Sequence, residues 1–161
     1  MKTRRATPAD APQMVTLLND IIAIGGSTAH ETPFDVDRMR HHYIAATDTI
    51  ACHVVDDGDK ILGFQFLGRP DEPMPDGWAI IASFVAPDAA GKGVGQHLFP
   101  ATRKAATEAG VTVIDATIRA DNVAGLRYYS GLGFVDYDRL QDVPLKNGTL
   151  VDRVRKRFDL R

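Results

Sequence analysis

One cysteine, Cys52, is all the sequence holds, which excludes an internal disulfide framework and a cysteine metal site, and no metal is expected. The formal net charge is only −2, so there is no electrostatic case for a nucleic-acid partner. No apolar run approaches the ~20 residues needed to cross a bilayer, and no membrane partner is expected. The basic start Met1-Lys2-Thr3-Arg4-Arg5 is followed by no apolar segment, so it does not read as a secretory signal. Repeats and low-complexity tracts are also missing. What remains is ordinary globular composition, 44% hydrophobic and 25% charged over 161 residues. That length suits one domain over residues 1–161, and a cytoplasmic enzyme is the simplest expectation.

The stretch Ser83-Phe84-Val85-Ala86-Pro87-Asp88-Ala89-Ala90-Gly91-Lys92-Gly93-Val94-Gly95-Gln96 organises the chain. An apolar run ends at Pro87, alternate glycines follow, and helical periodicity begins after them: strand, glycine loop, helix. Such a junction turns free backbone N–H groups toward one point and adds the helix's partial positive charge, which suits a phosphate. A Walker loop is excluded because Lys92 is followed by Gly93 and not by Ser or Thr. The dinucleotide fingerprint fits poorly, since Gln96 stands where its third glycine belongs.

A second motif runs Asn122-Val123-Ala124-Gly125-Leu126-Arg127-Tyr128-Tyr129-Ser130-Gly131-Leu132-Gly133-Phe134. The first loop resembles the Gln/Arg-x-x-Gly-x-Gly/Ala loop of the GCN5-related N-acetyltransferase family, with Gly93 and Gly95 at its glycine positions and Ala90 in place of Gln/Arg. The second resembles that family's Asn-x-x-Ala-x-x-x-Tyr-x-x-x-Gly-Phe pattern at Asn122, Tyr129, Gly133 and Phe134, with Gly125 replacing Ala. The two motifs cover roughly the central third of the chain, in the family's order. The linker Ser27 to Phe34 has some likeness to the phosphinothricin and methionine sulfoximine branch, whose acceptors are small amino-acid-like amines.

The elements around the motifs fit that resemblance. Thr7-Pro8-Ala9-Asp10 reads as a capped helix start, Met14, Leu17, Leu18, Ile21 and Ile22 as an apolar stripe, and Gly25-Gly26 as its stop. A second helix is expected from Asp35 to about Ala46. Strands are expected at Lys2–Ala6, Thr49–Asp56, Lys60–Gly68, Trp78–Val85, Val111–Ile118, Phe134–Leu140 and Leu150–Leu160. Helices should follow the glycine loop as far as Gly110, with a kink near Gln96 from Pro100, and run from Asn122 to Ser130. The result is a mixed α/β sheet fold of order βααβββαβαββ, the acyl-CoA N-acyltransferase arrangement.

The resemblance implies an acetyl-CoA-dependent N-acetyltransferase acting on the primary amine of a small molecule, by direct attack in a ternary complex. It implies that the central strand splays from its neighbour at a bulge, where a backbone N–H near Phe84 or Val85 polarises the acetyl carbonyl. Lys92, Gly93, Val94, Gly95, Gln96 and Asn122 would hold the coenzyme, and Tyr129 would protonate the leaving thiolate. Tyr128 fills the motif's packing position. The general base is left open among Glu31, His30 and His53, because Trp78–Val85 carries no acid; Glu31 is also the candidate acceptor-binding residue. Cys52 and His53 read as strand residues and not as nucleophiles. Homodimers are common in the resembled family, and the last two strands offer an edge for one. Two alternatives stay open: an acyl-CoA-binding sensor without turnover, and a nucleotide-binding protein using the Gly91–Gly95 loop.

Overall fold

The computed structural model describes residues 1–160. In chain order the elements are β1 (Lys2–Arg5), α1 (Ala11–Ile24), α2 (Val36–Met39), β2 (Thr49–Asp56), β3 (Ile61–Gly68), β4 (Trp78–Val85), α3 (Val94–Glu108), β5 (Val113–Arg119), α4 (Val123–Leu132), β6 (Val135–Pro144) and β7 (Leu150–Asp159). This is the expected βααβββαβαββ order. The strands form one seven-stranded sheet, ordered β1-β2-β3-β4-β5-β7-β6. Only β4 and β5 run parallel.

The sheet's centre follows from composition. β3 reads Ile-Leu-Gly-Phe-Gln-Phe-Leu-Gly and is buried at every position. Side chains alternate between faces, so Phe64 and Phe66 meet Tyr43 on one side, whereas Gly63 abuts Val94 of α3 on the other. The α1 stripe works as its spacing suggests, with Met14 and Leu18 fully buried. Its start is tied down by Asp10, which accepts the Thr7 N–H at 2.8 Å and the two terminal nitrogens of Arg4 at 2.8 and 2.9 Å. A short 3-10 turn, Pro8–Asp10, precedes the helix.

Two local expectations need correction. The second helix is not one α-helix from Asp35 to Ala46: Asp35 caps a single α turn, and a π turn continues it over Arg40–Ile44. The wider turn sets Tyr43 inward, 3% exposed, among Phe64, Phe66 and Phe84. The central strand also has no bulge toward β3, since Gly63↔Val85 through Gly68↔Ile80 pair without a register shift. The splay lies on its other side: β4 pairs with β5 only from Trp78↔Val113 to Ile80↔Asp115. Beyond Ile80 the strands part. Pro100 is accommodated inside α3, which is continuous from Val94 to Glu108. Among the described residues no helix is long and apolar enough to cross a membrane.

Candidate active site

The splay leaves backbone donors of β4 free. Ala86 N–H donates to Leu62 C=O at 2.8 Å, and donors alternate sides along an antiparallel pair. Phe84 N–H therefore also faces β3, while Ser83 and Val85 present theirs to the opening. Of the two residues expected to supply the carbonyl-polarising N–H, the geometry leaves Val85 and removes Phe84. The Phe84 ring packs instead against Phe64 and Tyr43.

Two cavities meet at this opening. The larger, about 650 Å³, runs from Ser83, Phe84 and Val85 along Gly93, Val94, Gly95 and Gln96, and is bounded opposite by Asn122, Gly125 and Tyr128. Lys92 does not line it; that side chain is exposed beside the loop. Gly93, at φ 80°, is the N-cap of α3 and no side chain caps the helix, so first-turn N–H groups are left for a ligand. Gly95 has a different reason to be glycine. A Cβ there would lie 2.4 Å from Cε1 of Tyr128, so the residue is small to seat a tyrosine ring.

The smaller cavity, about 190 Å³, lies on the other side of Ser83 and Phe84 and is lined by His30, Tyr43, Tyr129, Arg119 and Arg153 among others. The Ser27–Phe34 linker roofs it. Asn122 Nδ2 donates to Ser27 C=O at 2.8 Å, and Arg119 donates to Thr28 C=O at 3.2 Å. Asn122 Oδ1 also caps α4 by accepting Gly125 N–H at 3.0 Å. Its amide therefore holds the helix and the roof together while lining both cavities.

Tyr129 is 6% exposed, and its hydroxyl lies 2.7 Å from Ser83 Oγ. Burial raises its pKa well above the ordinary phenol value, against a lowering hydrogen bond from Ser83; the phenol is protonated at neutral pH. Tyr128 donates to Gly95 C=O at 2.9 Å and accepts from Gln65 Nε2 at 2.9 Å, and burial pushes its pKa up to about 12. Gln65 Nε2 also donates to Ser83 Oγ at 2.8 Å. Ser83 and Gln65 were not among the expected site residues. The available signal was Gln65 itself, the one polar residue in an otherwise apolar strand.

The three candidates for the base separate. Glu31 lines neither cavity; its carboxylate accepts Lys146 N–H at 3.1 and 3.2 Å, because the β6–β7 turn folds against the linker. The expected acceptor-binding role of Glu31 does not fit that place. His53 sits on β2 opposite Gln65 and reaches neither cavity. His30 alone enters the smaller cavity, with Nε2 2.6 Å from Tyr43 Oη. Burial, then the charges of His42 and Arg38, pull its pKa down to about 4, so it is neutral at physiological pH. Among the described residues no carboxylate lines this cavity. Arg119 is bound to Asp121 at 2.8 Å, whereas Arg153, its cross-strand partner on β7, has no ion-pair partner among the described residues. Cys52 is buried, and burial raises its thiol to about 12, which fits a packing residue.

Residues 16–134 match the acetyltransferase (GNAT) family. No curated protein matches the sequence. Among solved structures, the chain is similar to a ribosomal-protein-alanine N-acetyltransferase from Brucella melitensis, at 25% identity and a TM-score of 0.83, covering 99% of this chain and 100% of that one. An N-acetyltransferase from Staphylococcus aureus Mu50 shares the fold at 22% identity and a TM-score of 0.84, over 99% and 98% of the two chains. A phosphinothricin acetyltransferase from Sinorhizobium meliloti, solved in complex with acetyl-CoA, shares it at 19% identity and a TM-score of 0.83, over 99% and 88%. The family match spans both motifs and the splayed strand between two cavities, and on that ground the chain belongs to the acetyltransferase (GNAT) family and is an acetyltransferase.

Proposed function

We propose that the protein transfers the acetyl group of acetyl-CoA to the amine of a small, amino-acid-like molecule by direct attack. The single observation that carries this is the meeting of the two cavities at Ser83 and Phe84, beside the unpaired Val85 N–H. The larger cavity and the uncapped start of α3 suit the coenzyme, whose pyrophosphate would meet first-turn N–H groups. Lys92, outside the cavity, supplies charge at its rim.

The amine enters from the smaller cavity and attacks the acetyl carbon. Charge builds on the carbonyl oxygen, and a preorganised N–H at that point is worth roughly 3 kcal/mol. The carbon–sulfur bond then breaks, sulfur leaves as thiolate, and Tyr129 gives it a proton. With no carboxylate among the described residues that line the cavity, the amine is freed of its proton by its surroundings: Arg153, which has no ion-pair partner there, disfavours a second positive charge, and neutral His30 adds none. The same absence argues against polyamines and aminoglycosides, whose several cations would find no counter-charge. An anionic group on the acceptor would find the unpaired Arg153 guanidinium.

The test is thiol release from acetyl-CoA against L-amino acids, phosphinothricin, methionine sulfoximine, putrescine and tyramine. Turnover is expected with amines that carry a carboxylate. Losing a buried charge pair costs about 2–5 kcal/mol, so Arg153→Met should raise the acceptor KM about 30-fold or more while the acetyl-CoA KM stays within about twofold. Turnover of putrescine alone, or no turnover of any amine, contradicts the proposal.

A further inference from the structure

We propose that Gln65 is a positioning residue that sets the direction of the hydroxyl protons around Tyr129, leaving the Tyr129 proton as the one free for the departing sulfur. This rests on the reading of Tyr129 as general acid.

Counting donors fixes the direction of each hydrogen bond. Tyr128 has one hydroxyl proton and two partners within hydrogen-bond distance, the Gly95 carbonyl and the Gln65 amide, each at 2.9 Å. A carbonyl only accepts, so Tyr128 gives its proton to Gly95 and must accept from Gln65. That fixes the amide with Nε2 toward the tyrosine. The second Nε2 hydrogen goes to Ser83 Oγ at 2.8 Å. Ser83 then has its own proton to place; Tyr128 Oη lies beside it but already accepts from Gln65, which leaves Tyr129 Oη at 2.7 Å. Tyr129 thus accepts from Ser83, and its own proton turns out of the chain toward the cavity it lines.

The fold makes this possible by register. Gln65 and Ser83 stand directly opposite each other on β3 and β4, on the face that α4 covers with Tyr128 and Tyr129. Gln65 is fully buried, and its Oε1 has no partner among the described residues. An apolar side chain would pack there without that cost, so the amide is retained for what its two hydrogens do. In the reaction, the nitrogen–carbon bond forms, the carbon–sulfur bond breaks, and sulfur takes the Tyr129 proton. The resulting phenolate keeps the hydrogen bond donated by Ser83 until the proton shed by the amine restores it through solvent in the cavity. One N–H has become one S–H.

Gln65→Glu tests this, because an ionised carboxylate only accepts. It would draw the Ser83 proton to itself and oblige Tyr129 to donate to Ser83. Activity is read as thiol release from acetyl-CoA with the best carboxylate-bearing amine of the panel above. At pH 8 the variant should lose about 30-fold in kcat, with the acetyl-CoA KM within about twofold. The ratio of variant to wild-type kcat should rise as pH falls toward 6, where the introduced carboxyl takes a proton and becomes a donor again. A wild-type kcat throughout, or a loss equal at every pH, overturns the inference. If Gln65→Glu does not fold, Ser83→Ala decides: slower turnover at unchanged acetyl-CoA KM is expected, and wild-type kcat overturns it. Tyr129→Phe separates the two readings. Slow Tyr129→Phe with normal Gln65→Glu removes only the role of Gln65, whereas normal Tyr129→Phe removes the acid itself.

Discussion

Replacing Tyr129 by Phe removes one oxygen and leaves nearly everything else in place. The ring keeps its contacts with Tyr128 and Phe134, at centroid distances of 5.0 and 5.1 Å. What is lost is the 2.7 Å hydrogen bond to Ser83, and Ser83 still has Gln65. A net hydrogen bond is worth about 1 kcal/mol, which lowers Tm by about 2–4 °C in a chain of this size. The catalytic loss should be far larger. The Tyr128 proton is held by Gly95 C=O, so no second phenol can take over. A positioned acid contributes about 10²- to 10⁴-fold, and even the lower figure is about 2.7 kcal/mol of barrier. The assay is steady-state thiol release with acetyl-CoA varied, alongside thermal unfolding. The account requires kcat lower by about 100-fold or more with the acetyl-CoA KM within about twofold. A kcat within about threefold of wild type would refute the acid; a raised KM at unchanged kcat would make Tyr129 a binding residue instead.

Gly95→Ala should destabilise, because its Cβ would lie 2.4 Å from a Tyr128 ring anchored by its hydroxyl; overpacking of this kind costs about 1–3 kcal/mol, and an unchanged melting temperature would contradict the contact. Stability should also depend on pH through His30, His42 and His53, all held below the ordinary histidine pKa chiefly by burial. Their folded pKa lies below the unfolded one, so this contribution is complete above about pH 6.5 and is lost as pH falls toward 4, the value reached by His30. Thermal unfolding across that range should show the decline, and His30→Gln should reduce it. A variant whose decline matches wild type would contradict the burial of His30.

The sequence made the framework legible and the wiring illegible, for physical reasons that differ by residue. Trp78–Val85 is bounded as a strand by Gly77 and Pro87, and local punctuation of that kind can be read directly. Asn122 at the head of its helix is equally local: its amide caps Gly125 N–H. Gln65, Ser83 and Tyr129 are far apart in the chain and meet only through the Gln65↔Ser83 register. Arg153 was hidden because Arg153, Arg155 and Arg157 alternate along β7 as a solvated strand face would; its pairing with Arg119 places it at the cavity. Glu31 misled for the opposite reason. An acid in the right linker has no sequence signal that it will be claimed by the Lys146 N–H. The missing bulge is of the same kind, since the register of β3 against β4 depends on two strands at once.

On this proposal, the groove between β4 and α3 holds acetyl-CoA with its acetyl group at the splay. Thermal unfolding with acetyl-CoA, CoA and ATP tests it most directly. At ~100 times its dissociation constant a ligand adds ~2.7 kcal/mol, or about 5–10 °C here. Such a rise is expected with acetyl-CoA and CoA and little with ATP, which lacks the pantetheine arm that would lie along Ser83–Val85. Equal stabilisation by ATP, or none by acetyl-CoA, would contradict it.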